Sequence, residues 1–185
     1  MLETERGGIQ VYDTALRSVV NDELREEWEE YLEQTRHHER ILLALLEKLG
    51  LDPEQETPGR GVVRHIGESL VAAMEMARKS GPAEAAQLVA CEAVVQAETK
   101  DHLNWELLHE ASGKAKGEDR KALAEACAQV EDQEDEHLYH STGWCRELWI
   151  ESLGLPAVLP PPEEEKEVKT AIGAARAKKA RKEML

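Results

Sequence analysis

The chain has 185 residues and a formal net charge of −15, a length that suits one domain with a substantial core plus appendages. It contains no phenylalanine and is rich in Ala, Leu, Glu, Lys and Arg, a composition typical of helical bundles. The negative charge argues against a general nucleic-acid binder or a binder of anionic membranes. No apolar run approaches the roughly 20 residues that span a bilayer. Because the N-terminus shows no basic, apolar leader, we expect a cytoplasmic protein.

Turn signals divide the chain into helices. The first predicted helix covers residues 1–20 and is weakened by its Gly7-Gly8 pair, at a cost of about 2 kcal/mol in helix propensity. A second helix begins at the capping pair Asn21-Asp22 and runs to Leu49, where Gly50 fits the stop position. After a loop at 52–61, the remaining predicted helices cover 62–79, 82–112 and 119–153, with a second loop at 112–119.

The chain after residue 153 has a different character. A proline run over 154–162 favours an extended linker. The terminal stretch 163–185 begins acidic and ends basic, which suits a helix dipole and predicts a charged helical tail. Residues 1–153 therefore form the predicted bundle domain. The thiols are odd in number and widely spaced, so we expect them to be reduced and mostly buried. They are Cys91, Cys127 and Cys145.

Four of the predicted helices carry an apolar stripe that is interrupted by polar residues. When each helix is followed in alternating steps of three and four residues, the stripe is apolar at its ends and carries Glu, His or, once, Thr between them. If the stripes face inward, these side chains meet inside the bundle. The polar stripe residues are Glu5, Thr35, His38, Glu98, His102, Glu134 and His137.

Carboxylates and imidazoles in one bundle interior point to a metal site. Burying unneutralised charge costs several kcal/mol per ion, and one or two divalent cations would neutralise the cluster. Oxygen and imidazole ligands suit iron, manganese or zinc. The alternative for Glu134 and His137 is a solvated helix face, since Glu-x-x-His also arises by chance in acidic helices. The Thr35 hydroxyl is expected to form a hydrogen bond with the backbone of its own helix. Tyr31 is interpreted first as a core aromatic residue. Its alternative role is that of an electron or radical outlet beside the metal.

The pattern resembles the ferritin-like di-iron carboxylate proteins, of the rubrerythrin and bacterioferritin kind. That family uses one Glu from each of two helices and Glu-x-x-His from each of the other two. Here "EDEH" (134–137) matches Glu-x-x-His, Glu98 and Glu5 match the single glutamates, and "TRHH" (35–38) falls where the other Glu-x-x-His belongs. Thr35 departs from this pattern by replacing a carboxylate, and His102 is an extra candidate ligand. The resemblance covers residues 1–153.

The resemblance implies an all-α fold: a ferritin-like antiparallel four-helix bundle with a short crossover helix at 62–79. A C-terminal tail helix would follow the bundle. It also implies two iron ions, alternatively manganese or zinc, and a metal-dependent oxidoreductase that reacts with dioxygen or peroxide, such as ferrous-iron oxidation in stress defence. Without a Cys-x-x-Cys pair, electrons would come from a partner protein or from ferrous ion. We expect a homo-oligomer, a dimer or larger. The alternatives are an iron-sequestering storage protein and a metal-free structural bundle.

Overall fold

The computed structural model describes residues 1–157 and shows an all-α bundle in which those residues form no strand. The linker beyond residue 157 and the predicted tail at 163–185 lie outside the described residues. The helices are α1 Leu2–Ala15, α2 Asp22–Lys48, α3 Pro58–Ser80, α4 Ala83–Lys114, α5 Gly117–Cys127 and α6 Glu131–Ser152. No helix within the described part of the chain is long and apolar enough to cross a membrane.

The boundaries of α2 confirm the capping prediction. The Asn21 side chain accepts a hydrogen bond from the Leu24 backbone N–H at 3.0 Å, which satisfies a donor left free at the helix start. Gly50 follows the helix with a φ of 66°, a conformation that glycine adopts without steric cost. By contrast, α3 begins four residues earlier than predicted. Thr57 caps its first turn and Pro58 occupies the first helical position. The loop before α3 is therefore shorter than predicted, and α3 is a longer helix than α1.

Two other predicted boundaries differ from the structure. The first helix ends at Ala15, because the following turn is held by the Arg25 guanidinium, which donates to the carbonyls of Leu16 and Val19. The single helix predicted over 119–153 is two helices, separated at 128–130, where Val130 leaves helical geometry with φ −120° and ψ −32°. The acidic first turn of α6 suits the positive end of the helix dipole that this break creates.

The core consists of two apolar clusters. One is built around Tyr12, Trp28 and Trp144, and the other around Leu42 and Trp105. Helix α1 packs against α2, α3 and α4, and α4 packs in addition against α5 and α6. Five polar residues of the predicted stripes are buried in the bundle as well, which confirms that these positions face inward. They are Glu5, His38, Glu98, Glu134 and His137.

The Gly7-Gly8 pair does not interrupt α1, because each glycine lies where another helix comes close. A Cβ atom on Gly7 would lie 3.8 Å from the Cα atom of Gly67 in α3, and one on Gly8 would lie 3.3 Å from the Cγ2 atom of Thr35 in α2. Tight packing between helices thus offsets the lower helix propensity. The cysteines are free thiols; Cys91 and Cys127 are buried and Cys145 is partly buried, as predicted.

Candidate metal centre

Four helices bring five of the predicted ligands together. Among the described residues, two groups have ligand atoms that all lie within 4.8 Å of one another, and the two groups share Glu134. The first group is Glu5 of α1, His38 of α2 and Glu134 of α6; the second is Glu98 of α4 with Glu134 and His137 of α6. All five side chains are buried. The arrangement offers two adjacent positions for a cation, with one carboxylate between them.

The orientation of both imidazoles is fixed by glutamine side chains. Nε2 of His38 lies 2.8 Å from the amide oxygen of Gln133, and Nε2 of His137 lies 2.7 Å from that of Gln34. Because an amide oxygen only accepts hydrogen bonds, these contacts are hydrogen bonds in the tautomer that carries the proton on Nε2. Each Nδ1 then has a lone pair and no proton in the neutral ring, which is the form that binds a metal ion.

Both Nδ1 atoms face a carboxylate. Nδ1 of His38 lies 2.9 Å from Oε1 of Glu134, and Nδ1 of His137 lies 3.4 Å from Oε2 of Glu98. The first pair is close but poorly aligned, and neither of its atoms has a hydrogen-bond partner among the described residues. With the proton on Nε2, Nδ1 of His38 supplies no hydrogen, so a hydrogen bond between these two atoms needs a proton on the Glu134 carboxyl group.

Several of these oxygen atoms are buried without a partner. Both oxygens of Glu134, Oε2 of Glu5 and Oε2 of Glu98 accept no hydrogen bond from any residue that the structure describes. Most buried polar groups in proteins are hydrogen-bonded, because desolvation without a partner is costly. Nδ1 of His38 and four carboxylate oxygens, all buried without a hydrogen-bond partner in the described chain and gathered at one place, fit the ligand set of a divalent transition-metal ion.

The pKa values show the same lack of positive charge. Burial, together with the negative charge of Asp101, raises the pKa of Glu5 and of Glu134 well above the usual range. Burial and the charge of Glu98 raise the pKa of Asp101 to about 7. Burial lowers the pKa of His38 to about 4, with the neighbouring His137 ring also contributing. The pocket disfavours ionised carboxylates unless a cation takes the place of the protons.

Two stripe residues lie apart from these groups. His102 belongs to neither of them; its Nε2 lies 2.8 Å from Oδ1 of Asp135, nearer the surface. The expectation that His102 offsets the missing carboxylate at Thr35 therefore finds no support in the geometry. The Thr35 hydroxyl donates to the Tyr31 carbonyl at 2.8 Å, which is the back-bonding predicted for it. The indole N–H of Trp105 donates to Oε1 of Glu5 at 2.8 Å.

Tyr31 lies beside the cluster without being one of its ligands. The centres of its ring and the His137 ring are 4.2 Å apart. Its hydroxyl donates to Oε1 of Glu27 at 2.8 Å and lies 2.7 Å from Nδ1 of His140. Oε2 of Glu27 accepts from the Trp144 indole N–H at 2.8 Å. Burial alone would raise the pKa of Glu27, but the hydrogen bonds from His140 and Trp144 lower it, so the carboxylate is ionised.

The sequence interpretation overlooked four residues of the site and its surroundings. Gln34 and Gln133 could have been found from a short repeat, "QTRHH" (34–38) and "QEDEH" (133–137). In both segments Gln is followed directly by Thr or Glu, then by two variable residues and His. Asp101 follows Glu98 by one helical turn, and Glu27 precedes Tyr31 by one turn. Residues one turn apart lie on the same helix face, so the spacing places Asp101 on the face of Glu98 and Glu27 on the face of Tyr31.

Comparisons of the chain with models of protein families, with curated proteins and with solved structures find no match. The function is therefore inferred from the donor set, its burial and its hydrogen bonds.

Proposed function

We propose that the protein is a ferritin-like, metal-dependent oxidoreductase that holds two iron ions, or manganese in their place, and reacts with dioxygen or peroxide. Oxidation of ferrous iron in stress defence is the physiological role that we infer. The proposal depends above all on Glu134, which is 2% exposed, has no hydrogen bond within the described chain on either oxygen, and lies within ligand distance of both donor groups. A carboxylate in that position is suited to bridge two cations.

The order of the ligands along the chain supports the ferritin-like assignment. Helices α1 and α4 contribute one Glu each, α6 contributes Glu-x-x-His, and α2 contributes a His at the matching position. Helix α3 occupies the long connection between α2 and α4 and packs against α1 and α4. Thr35 remains a departure, and it leaves the Glu5–His38 side with one carboxylate fewer than the pattern requires. We therefore expect the two metal positions to differ in affinity.

The donor set favours a redox-active metal. Each position would be held by one terminal Glu, one imidazole Nδ1 and the shared Glu134, and such mixed oxygen and nitrogen donors suit iron and manganese as well as zinc. When bound, iron would supply the exchange of electrons with dioxygen or peroxide that no side chain can perform. Zinc has no redox chemistry, so a zinc-loaded protein would be inactive.

The protein's own residues would hold the ligands in place and supply an electron. Gln34 and Gln133 keep both imidazoles in the tautomer with a free Nδ1, and Trp105 orients Glu5. Tyr31 is placed to donate an electron toward His137, because its ring lies on that imidazole and its hydroxyl proton already has an acceptor in Glu27. Loss of the electron and loss of the proton can therefore occur at one residue.

The proposal is tested by loading the metal-free protein with ferrous ion under anaerobic conditions and counting the bound iron. The wild type is expected to retain about two ions per chain and to form a ferric product on mixing with oxygen or peroxide. Glu134→Ala should lose at least one ion and the rapid oxidation, whereas Glu92→Ala on the exposed face of α4 should behave like the wild type.

The other outcomes separate the alternatives. A wild type that binds no iron, whose melting temperature does not rise with metal and which is stabilised by Glu134→Ala would be a structural bundle. Large particles that accumulate many ferric ions per chain would indicate storage.

A further inference from the structure

Glu27 joins two oxidisable side chains through its two carboxylate oxygens. Oε1 accepts a hydrogen bond from the Tyr31 hydroxyl at 2.8 Å, and Oε2 accepts one from the Trp144 indole N–H at 2.8 Å. Nδ1 of His140 lies 3.0 Å from Oε1 of the same carboxylate. Glu27, Tyr31 and Trp144 are all buried. The phenol and the indole are therefore linked by one carboxylate away from bulk water.

This hydrogen-bonded network leads away from the candidate metal centre along α6. At one end, the Tyr31 ring lies 4.2 Å, centre to centre, from the ring of the candidate ligand His137. At the other end, Trp144 follows His137 by seven residues, which is about 10 Å along the helix axis. Trp149, five residues further on, is 37% exposed. The network thus lies between a metal ligand and a part of α6 that reaches the surface.

The Glu27 carboxylate is able to hold one proton at either oxygen. Burial has the largest effect on its pKa and raises it, but the hydrogen bonds from His140 and Trp144 keep that pKa below the usual value. The group is therefore ionised at neutral pH and acts as a proton acceptor. The Tyr31 and Trp144 donors both lie within the range of about 2.6–3.2 Å over which a positioned base takes a proton.

Proton acceptors matter for Tyr and Trp because these side chains become strongly acidic when they lose an electron. A positive charge left on a buried ring is costly, since the site lacks the solvation of water. Transfer of the proton along an existing hydrogen bond removes that charge without movement of the heavy atoms. Tyr31 and Trp144 each have such a bond, and both bonds end on Glu27.

We propose that Trp144 and Tyr31 form an electron-transfer pair that delivers single electrons to the metal centre, with Glu27 as the proton carrier that both share. The inference rests on the proposed function, because the oxidised centre is the electron acceptor. It also identifies the reducing partner by class, as a one-electron carrier that reaches the exposed part of α6 near Trp149.

Electrons and protons balance in each step. Tyr31 first gives one electron to the centre, which peroxide has oxidised, and its hydroxyl proton moves to Oε1 of Glu27. Trp144 then gives one electron to the Tyr31 radical, Glu27 returns the proton to the phenol, and the indole N–H proton moves to Oε2 of Glu27. The one-electron carrier finally reduces the Trp144 radical, which takes its proton back from Glu27. One electron has then passed from the carrier to the centre, and all three side chains have regained their starting state.

Trp28 provides an internal comparison for Trp144. It belongs to the same apolar cluster and is more deeply buried, at 1% against 5% exposure. Its indole N–H has no hydrogen-bond partner among the described residues. A positive charge on Trp28 would therefore not be relieved by proton transfer, and we expect this residue to take no part. Trp28→Phe is the matched control for Trp144→Phe.

The first test follows the organic radical by electron paramagnetic resonance after protein loaded with ferrous ion is mixed with peroxide and frozen at successive times. Tryptophan deuterated on its ring is incorporated, because the label changes only the spectrum of a tryptophan radical. We expect a tyrosine radical first and a tryptophan radical after it. Trp144→Phe should lose the tryptophan signal and keep the tyrosine signal, whereas Trp28→Phe should show both.

Glu27→Gln separates proton transfer from hydrogen bonding, because the amide keeps an acceptor oxygen but takes up no proton at neutral pH. The yield of the tyrosine radical should fall at least about tenfold, while the iron content stays at the wild-type level. Glu29→Gln on the exposed face of α2 is the matched control and should behave like the wild type. Equal radical yields in Glu27→Gln and the wild type would overturn the role of Glu27. If Glu27→Gln does not fold, Trp144→Phe alone decides the proposal.

A second experiment tests the pair without metal. In the metal-free, full-length protein, azide radicals from pulse radiolysis oxidise tryptophan, and transfer of the radical to tyrosine is followed by absorption. This transfer moves an electron between the same two side chains in the opposite direction. Its fast phase should be present in the wild type and in Trp28→Phe, and it should be lost in Trp144→Phe and in Tyr31→Phe.

The outcomes separate this inference from the proposed function. A tryptophan signal that survives in Trp144→Phe, or a fast phase that survives in both Trp144→Phe and Tyr31→Phe, would overturn the electron-transfer pair and leave the metal centre standing. A wild type that binds no iron would overturn the proposed function, and with it the route to the centre, even where the fast phase is intact.

Discussion

The imidazole Nε2 of His137 on α6 lies 2.7 Å from the amide oxygen of Gln34 on α2. The reciprocal contact, His38 of α2 with Gln133 of α6, has almost the same length at 2.8 Å. Each helix therefore supplies one ligand and also the group that orients the ligand of the other helix. Both glutamines precede the histidine of their own helix by four residues.

Gln34→Leu removes an acceptor while keeping most of the side-chain volume. The His137 ring is then free to carry its proton on Nδ1, so we expect metal affinity to fall by about 10- to 100-fold. A chelator competition titration with Co²⁺ measures this change. Gln96→Leu on the exposed face of α4 is the matched control and should leave the affinity unchanged. An unaltered affinity in Gln34→Leu would show that the hydrogen bond does not select the tautomer.

The stability of the metal-free protein should fall as the pH rises from 6 to 8. The pKa of Asp101 is raised to about 7 in the folded protein, so the folded state binds more protons than the unfolded state above the ordinary Asp range. Stability from this group is complete below its unfolded pKa and is lost as the pH rises through the folded pKa. One such group accounts for about 1.4 kcal/mol between pH 6 and 8.

Urea unfolding of the metal-free protein at several pH values measures this fall. Asp101→Asn should make the fall less steep, whereas Asp13→Asn on the surface of α1 should not. Glu5 and Glu134, whose pKa values are also raised, account for the fall that remains. His38 opposes this fall in the lower part of the window, because its pKa is lowered to about 4 in the folded protein while the unfolded imidazole still titrates at its ordinary value of 6.5. The metal-loaded protein should show the opposite trend, since metal binding requires deprotonated ligands. A flat profile for the metal-free wild type would contradict the raised pKa.

Thr35→Glu should restore the missing carboxylate of the Glu5–His38 side. The Thr35 side chain packs closely against Gly8 of α1, so the larger Glu side chain also costs packing energy, with or without metal. Without metal, the additional buried carboxylate should cost several kcal/mol of unfolding free energy. With metal, the weaker position should gain about tenfold or more in affinity, because ligand charge raises affinity for a divalent ion.

Thr35→Val is the control for this change, because it removes only the hydroxyl that bonds to the Tyr31 carbonyl. It should cost about 1 kcal/mol and leave metal binding as in the wild type. Metal stoichiometry by elemental analysis and thermal unfolding with and without Co²⁺ give the two readouts. If Thr35→Glu is destabilised equally with and without metal, the side chain at position 35 does not reach the centre.

Tyr31→Phe should separate metal binding from electron supply. The change removes a hydroxyl that contacts Glu27 and His140, at a cost of about 1 kcal/mol in stability. Iron content should stay at the wild-type level, while any organic radical signal seen by electron paramagnetic resonance after peroxide addition should disappear. Tyr139→Phe is the control and should retain the signal. An unchanged signal in Tyr31→Phe would assign the radical to another residue.

The turn signals predicted most of the helices, and the apolar stripes predicted five buried Glu and His residues, because Glu or His on an otherwise apolar face is conspicuous in sequence. The stripes did not show that Asp101, and not His102, lies next to the buried carboxylates. Both lie about one turn from Glu98, and the choice depends on neighbouring helices: Asp101 packs toward Glu5, while His102 leans to Asp135 on α6. The break at 128–130 also escaped prediction, because no Gly or Pro marks it and tertiary packing decides it.

The crossed pairing of glutamines and histidines has a consequence for assembly. Neither α2 nor α6 can present a correctly oriented imidazole until the other helix has docked. A peptide fragment ending before α6 would therefore keep the His38 side chain but lose the tautomer control on which coordination depends. Competence to hold a cation should therefore appear only once α6 has docked on α2.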